Sequence, residues 1–289
     1  MDVEGHLECA INARAGRETE YIIEPAAKPK KVFIVGSGPA GMEAARVASM
    51  RGHKVTLWEK DSRLGGQLNV ASMPPYKTEI PNLVNYLSKQ IDKLRVEVRL
   101  NQEISLQAME DAKPDVIVMA TGASAVIPDI PGVDGKNVAT AIDVLTGRKD
   151  VGDRVIIIGG GMVGCETAEF LHRKGKSVTI LEMLDRMGND IGRTTRWTVM
   201  QRLREARVRT ETKAKAVEIT PSGVRVDRDG ASEFFEGDSV VLAVGFRPNT
   251  ELSQELQGKA SEVYSIGDCV KPQRIAQAID AGFNIGRQI

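Results

Sequence analysis

The chain has 289 residues, with 39 Lys and Arg against 39 Asp and Glu, and only 4% aromatics. Zero net charge removes the electrostatic case for nucleic acid or an anionic membrane, and scarce aromatics remove base-stacking platforms. The length suits about two domains, each able to bury its own core.

Residues 1–30 read as an arm. Charged and small residues dominate apart from Tyr21-Ile22-Ile23, and Pro25 and Pro29 bound an extended entry to the first strand. MDVEGHLECA lacks the basic and apolar regions of a signal peptide, and the apolar runs downstream are strand-sized, so a cytoplasmic chain is expected.

Val32–Val35 is an apolar, β-branched run of the kind buried on both faces of a sheet. Gly36-Ser-Gly38-Pro39-Ala40-Gly41 follows and opens a helical pattern over Met42–Met50, which Gly52 ends. Val55–Trp58 is a second buried strand, closing on Glu59-Lys60. This is G-x-G-x-x-G between a strand and a helix, with an acid about 20 residues on, the setting of a dinucleotide site. Gly36 permits the tight turn, Gly38 lets a pyrophosphate approach, and Gly41 lets helix and strand pack closely. The helix N-terminus, with Pro39 and Ala40, faces the phosphates, while Glu59, followed by Lys60, accepts ribose hydroxyls. The next turn, Asp61–Leu68, returns the chain along the cofactor's edge and brings Gly66 and Gln67 into the candidate set. Met73-Pro-Pro-Tyr76 reads as a loop, and Glu79–Lys93 as a helix with a stripe of Leu83, Val84, Leu87 and Ile91. Val96–Leu100 alternates as a strand, and Ile104 lies just beyond, where the chain can pass a bound adenine. Asp115–Ala120 is a buried strand ending on Thr121-Gly122, and Pro128, Pro131 and Gly132 read as a linker.

The first motif then repeats. Arg154–Ile158 is a strand, Gly159-Gly-Gly161-Met162-Val163-Gly164 the loop, Cys165–Lys174 the helix, and Ser177–Leu181 a strand closing on Glu182. Gly36 to Gly159 and Glu59 to Glu182 are both 123 residues apart (159 − 36 and 182 − 59). Two dinucleotide sites on one chain follow. Glu182 accepts from a free ribose 2′-hydroxyl and repels a 2′-phosphate, which favours NADH, whereas Arg186 and Arg193 downstream leave NADPH open. Thr195–Glu205 is helical, and short strands lie at 208–210, 216–219, 224–227 and 234–236 around turns at Pro221-Ser-Gly223 and Asp229-Gly230. Ser239–Val244 is a closing strand ending on Gly245, Val263–Ile266 another ending on Gly267-Asp268, and Ile275–Ile285 a last helix.

Cys9, Cys165 and Cys269 are isolated, with no C-x-x-C, which argues against a disulfide framework, a closed zinc site or a redox dithiol. His6, His53 and His172 read as surface or capping residues.

These residues resemble the two-dinucleotide-binding-domain flavoproteins, pyridine nucleotide-disulfide oxidoreductase-like but without the redox disulfide. The matching pieces are GSGPAG with its Glu59, Ala120-Thr121-Gly122, GGGMVG with its Glu182, AVGFRPN around Gly245, and SIGD at 265–268. The resemblance implies an α/β fold of two Rossmann-like three-layer domains, the NAD(P)H domain (129–248) inserted into a discontinuous FAD domain (31–128 and 249–289). It implies that Asp268 binds the ribityl chain beside Gly267, and that Glu166 lies near the nicotinamide ribose. A closer likeness joins Cys9–Glu18, LGGQL at 64–68 and SIGDCVKPQRIAQAIDAGFNIGR to the C-terminal half of the 2,4-dienoyl-CoA reductase type of NADH:flavin oxidoreductase, relatives of old yellow enzyme. There Cys9 matches the last ligand of a [4Fe-4S] cluster, although Ala13 stands where proline is usual. The FMN barrel and the other three cysteines are absent, so no cluster is expected here. The chain is then a standalone electron-input module or a fragment, and a Met shortly before a stranded Cys favours the fragment.

The expected function is an FAD-dependent oxidoreductase module that takes hydride from NADH or NADPH and passes electrons to an acceptor outside the chain. No side chain is expected to act as a catalytic acid, base or metal ligand, because the cofactors carry the chemistry. A binding module without turnover and a self-contained reductase or oxidase are the alternatives.

Overall fold

The computed structural model describes residues 9–256 and 258–289. His6 lies outside them.

In chain order the elements are β1 (Lys31–Val35), α1 (Pro39–Met50), β2 (Lys54–Trp58), α2 (Leu68–Ala71), α3 (Ile80–Lys93), β3 (Glu97–Arg99), α4 (Leu106–Ala112), β4 (Val116–Met119) and β5 (Ala123–Ala125). Then come β6 (Val138–Thr140), α5 (Ala141–Leu145), β7 (Arg154–Ile158), α6 (Met162–Arg173), β8 (Ser177–Leu181), α7 (Arg193–Glu205), β9 (Arg209–Glu211), β10 (Lys215–Thr220), β11 (Gly223–Arg228), β12 (Ala231–Glu236) and β13 (Ser239–Leu242). The chain finishes with β14 (Phe246–Pro248), α8 (Glu251–Glu255), β15 (Glu262–Ser265), a 3-10 turn at Gly267–Cys269, and α9 (Ile275–Gln288).

Two compact units result. Unit 1 comprises the described residues up to Ala71, Thr78–Ser124 and Arg247–Ile289; unit 2 comprises Ser72–Lys77 and Ala125–Phe246. The connecting strands β5 and β14 pair with each other as a ribbon.

Unit 1 is built on a parallel sheet in the order β15-β4-β1-β2-β3. Its central strand is apolar at every buried position because both faces are covered. Val32 and Ile34 join the cluster containing Ala44, Ala45 and Ala48 of α1, Leu87 of α3 and Ile279 of α9. Phe33 and Val35 point to the other face, among Trp58, Met109, Ile117 and Met119.

Unit 2 repeats the plan with the order β6-β13-β7-β8-β9, again parallel. Val155 and Ile157 pack towards Cys165, Ala168 and Leu171 of α6 and Leu203 of α7. On the opposite face the third layer is a sheet: β10, β11 and β12 form an antiparallel meander whose Val224, Val226 and Phe235 pack on Ile156, Ile158 and Val240. The turn residues at Pro221-Ser-Gly223 and Asp229-Gly230 dictate those hairpins.

The short helices α2, α4, α5 and α8 carry no periodic stripe in the sequence. One of them, α5, is a single turn started by a capping box, in which Thr140 and Asp143 bond each other's main chain. His53 departs from a surface role: it is buried, and its Nδ1 accepts from the Lys30 N–H at 3.0 Å. Burial is also the first cause that lowers its pKa, ahead of Arg51 and Lys30. No helix among the described residues is long and apolar enough to cross a membrane.

Candidate functional site

Each unit presents a glycine loop between its central strand and a helix. Gly36 has φ +103° and Gly159 φ +108°, a conformation open to glycine. Closeness fixes the third glycine of each loop. A Cβ on Gly41 would lie 1.9 Å from the Gly36 carbonyl oxygen, and one on Gly164 1.9 Å from that of Gly159. Helix and strand are thus drawn together, and α1 and α6 begin at Gly38 and Gly161 with no capping side chain of their own. Their first N–H groups are the partial positive ends of helix dipoles, suited to an anion.

The acid after the second strand braces each loop. Glu59 is buried; its Oε2 accepts from Ser37 N at 2.8 Å and Ser37 Oγ at 2.6 Å, and its Oε1 from Asp61 N at 2.8 Å. Glu182 is buried likewise, accepting from Gly160 N at 2.7 Å and Leu184 N at 2.8 Å. A carboxylate accepts about four hydrogen bonds, so these donors fix each acid and leave capacity for a ribose hydroxyl. Ser37, Asp61, Gly160 and Leu184 are the donors that hold the two acids, and spacing alone does not single them out.

In unit 1 several turns converge on the start of α1, where Pro39 and Ala40 are its first residues. A Cβ on Gly66 would stand 2.9 Å from Gly38 Cα, and one on Gly267 2.9 Å from Ala40 Cβ. The result is a cradle nearly bare of side chains. Gln67 Nε2 donates to Ala123 O at 2.7 Å. Ala120 packs in the core, while Thr121 Oγ1 donates to Asn249 O at 3.0 Å and Gly122 O accepts from Asn249 N at 3.1 Å. Asp268 accepts from Gln273 N at 3.0 Å, and burial pushes its carboxyl above the usual carboxylate range. Lys60 is exposed. Ile104 is a core residue, packed with Phe33, Trp58 and Met109, so only its main chain remains to pass a ligand.

In unit 2, Met162 N is bonded by both oxygens of Asp190, at 2.9 and 3.1 Å. Val163 is half-buried, and its carbonyl accepts from Thr167 Oγ1 at 2.7 Å. Gly245, with φ +107°, is exposed beyond β13, and its carbonyl accepts from Val126 N at 3.0 Å. Arg186 and Arg193 line a cleft of about 440 Å³ with Arg196, Trp197 and Arg204. Cys165 is fully buried, and burial pushes its thiol up to about 12, which makes it a packing residue and no nucleophile. Cys269 is buried too, its Sγ donating to Ile266 O at 3.0 Å.

Glu166 meets Lys77 at 2.5 Å in the Ser72–Lys77 segment, where the Tyr76 ring is flanked by Arg173 and Arg202 at 4.6 and 4.4 Å. Burial raises the Glu166 pKa and outweighs the lowering by Lys77. A carboxyl raised in the folded state contributes stability below its unfolded pKa and loses it as pH rises through the folded value. Glu166→Gln is therefore expected to melt roughly 2 °C higher than wild type at pH 7.5. The gap should close as pH falls below 4.5, the ordinary value for Glu. A variant that melts lower at pH 7.5 would show that the Lys77 pair outweighs burial.

Known proteins carry the same architecture. Residues 30–282 match the family model described as pyridine nucleotide-disulphide oxidoreductase. The chain is 40% identical to an NADH oxidase of Thermoanaerobacter brockii, over 98% of this chain and 44% of that protein. It is 37% identical to a metal reductase of Desulforamulus reducens, over 96% of this chain and 47% of that protein. A solved 2-naphthoyl-CoA reductase complex superposes with a TM-score of 0.94 at 36% identity, covering 98% of this chain and 43% of that one. The chain thus spans less than half the length of each.

Proposed function

The chain belongs to the pyridine nucleotide-disulphide oxidoreductase family, whose members bind FAD and NAD(P)H, and we propose that it takes hydride from NADH or NADPH onto FAD and hands the electrons to an acceptor outside this chain. The observation that carries this reading is the repeated, carboxylate-braced glycine loop: two anion-binding helix ends, each beside a buried acid at ribose distance in sequence. Bound FAD supplies the ring that accepts hydride.

We assign FAD to residues 31–128 and 249–289 and the nicotinamide nucleotide to 129–248. The start of α1, with Gly36, Gly38, Pro39, Ala40 and Gly41, holds the flavin pyrophosphate, and Glu59 its adenosine ribose. Gly66, Gln67 and Thr121–Gly122 line the cofactor's course, and Gly267-Asp268 meets the ribityl chain. In the second site Gly159, Gly161, Met162 and Val163 surround the pyrophosphate. Glu182 holds the ribose hydroxyls and disfavours a 2′-phosphate, so NADH is the preferred donor, and Arg186 and Arg193 are the groups NADPH would use. Glu166 and Gly245 border the nicotinamide end. These residues orient and need not exchange protons, because hydride transfer depends on position.

The relatives named above bear different reductase and oxidase names while sharing this stretch, which supports a reading in which acceptor choice belongs to the part of those proteins that the chain does not match. The acceptor is proposed to be a further cofactor or protein, an iron–sulfur cluster or FMN by the family likeness. Three free thiols suit a reducing, cytoplasmic setting.

An anaerobic absorption spectrum of the FAD-reconstituted protein, before and after NADH, tests the proposal. Prompt bleaching of the flavin band is the expected result. A protein that takes up no flavin, or a bound flavin that neither NADH nor NADPH reduces, would overturn it.

A further inference from the structure

The two units carry a corresponding loop after their acid, closed by the same main-chain bond but with a different side chain facing the helix start. Gly65 N donates to Ser37 O at 3.0 Å in unit 1, and Gly188 N to Gly160 O at 2.7 Å in unit 2. The offset between Gly65 and Gly188 is again 123 (188 − 65). Two residues on, Gln67 and Asp190 stand at matching positions. Gln67 turns away to the Ala123 carbonyl. Asp190 turns onto the helix, both of its oxygens accepting from Met162 N, the first residue of α6. The counterpart of Met162 is Pro39, which has no N–H to cap. Met187 and Ile191, both buried, pin the loop on either side of the exposed Asp190. A Cβ on Gly161 would come within 3.2 Å of both Asp190 oxygens, so the carboxylate covers the face by which a phosphate reaches Gly161 and Met162.

We propose that Asp190 is an internal competitor for the pyrophosphate of the nicotinamide nucleotide, and that it sets that nucleotide's affinity by holding the α6 N-terminus until displaced. The inference rests on the nucleotide reading above. A carboxylate satisfies a helix-end N–H as a phosphate oxygen does, and two anions there repel. Apparent affinity falls by the fraction of molecules in which the site is open. Among the described residues unit 1 shows no side-chain cap on its helix, as fits a resident flavin. Unit 2 has one, as fits a nucleotide that must leave after each turnover.

The test is calorimetric titration of the oxidised, FAD-reconstituted protein with NAD⁺ and with ADP-ribose, neither of which can reduce it. Asp190→Asn removes the charge with the shape kept, and Asp190→Ala removes the cap. Both variants are expected to bind both ligands roughly threefold to tenfold more tightly than wild type, with flavin content unchanged. Unchanged or weaker binding in folded Asp190→Asn would overturn the proposal, since Asp190 would then stand beside the phosphate or help to hold it. If neither wild type nor variants bind either ligand, the nucleotide reading falls as well. If wild type binds and the variants are no tighter, only the competitor role falls.

Discussion

Gly164→Ala is expected to leave flavin bound while slowing its reduction by NADH about 100-fold. The added Cβ would sit 1.9 Å from the Gly159 carbonyl oxygen, and both groups belong to main chain, so neither can rotate away. Relief requires α6 to move off β7 or the glycine loop to open at Gly159. Either shift displaces the nucleotide's anchor by about 1 Å, the scale at which hydride transfer loses two orders of magnitude. Gly41→Ala makes the same 1.9 Å contact with Gly36 in unit 1 and should release the flavin instead. Stopped-flow reduction under anaerobic conditions, with the flavin-to-protein ratio from absorbance, separates the two. Wild-type reduction in Gly164→Ala, or flavin loss from it, would break the assignment of nucleotides to units.

Glu59→Ala should abolish flavin retention and weaken the flavin-free fold by about 2 kcal/mol. Its carboxylate is buried and is the acceptor for both the main-chain N–H and the hydroxyl of fully buried Ser37. Truncation strands those donors away from water, and an unmade buried hydrogen bond costs more than a made one contributes. Melting the flavin-free forms isolates this effect: the variant should unfold roughly 6 °C lower. Glu59→Gln, which keeps one acceptor oxygen, should fall between. Equal melting temperatures would mean that the acid serves only the ribose.

Both glycine loops are legible in the sequence because the contact they make excludes every side chain, and only glycine remains. The acids are legible by their distance from the loops, but their bracing of Ser37 and Gly160 is not, since it joins residues 22 apart through space. Asp190 lies in an aperiodic loop, yet the 123-residue offset that pairs Gly36 with Gly159 also pairs it with Gln67. The signal was in the repeat and extended beyond the glycines. Ile104 illustrates the opposite limit: nothing in the residues after a strand says that this side chain packs against Trp58 and Met109 in the core. The meander was readable from its turn residues, whereas its place as the third layer of unit 2 depends on Val224 and Phe235 meeting Ile156. The Ser72–Lys77 segment joins unit 2 through Tyr76 and Lys77, partners that no local pattern names.

The paired connectors impose an order of completion on a chain emerging from the ribosome. Unit 2 leaves and returns at one point, where Val126 N and Gly245 O are 3.0 Å apart, and every strand of its five-stranded sheet lies between Val138 and Leu242. It has all of that sheet as soon as this stretch is made, and domains fold as units during synthesis. Unit 1 must wait, because β15, which pairs with β4, and α9, which packs in the same cluster as α1, follow unit 2 in the chain. Until they arrive, β4 presents a bare edge and α1 an uncovered apolar face, the features that invite misassembly. Of the two units, the one whose sheet is begun first is the one completed second.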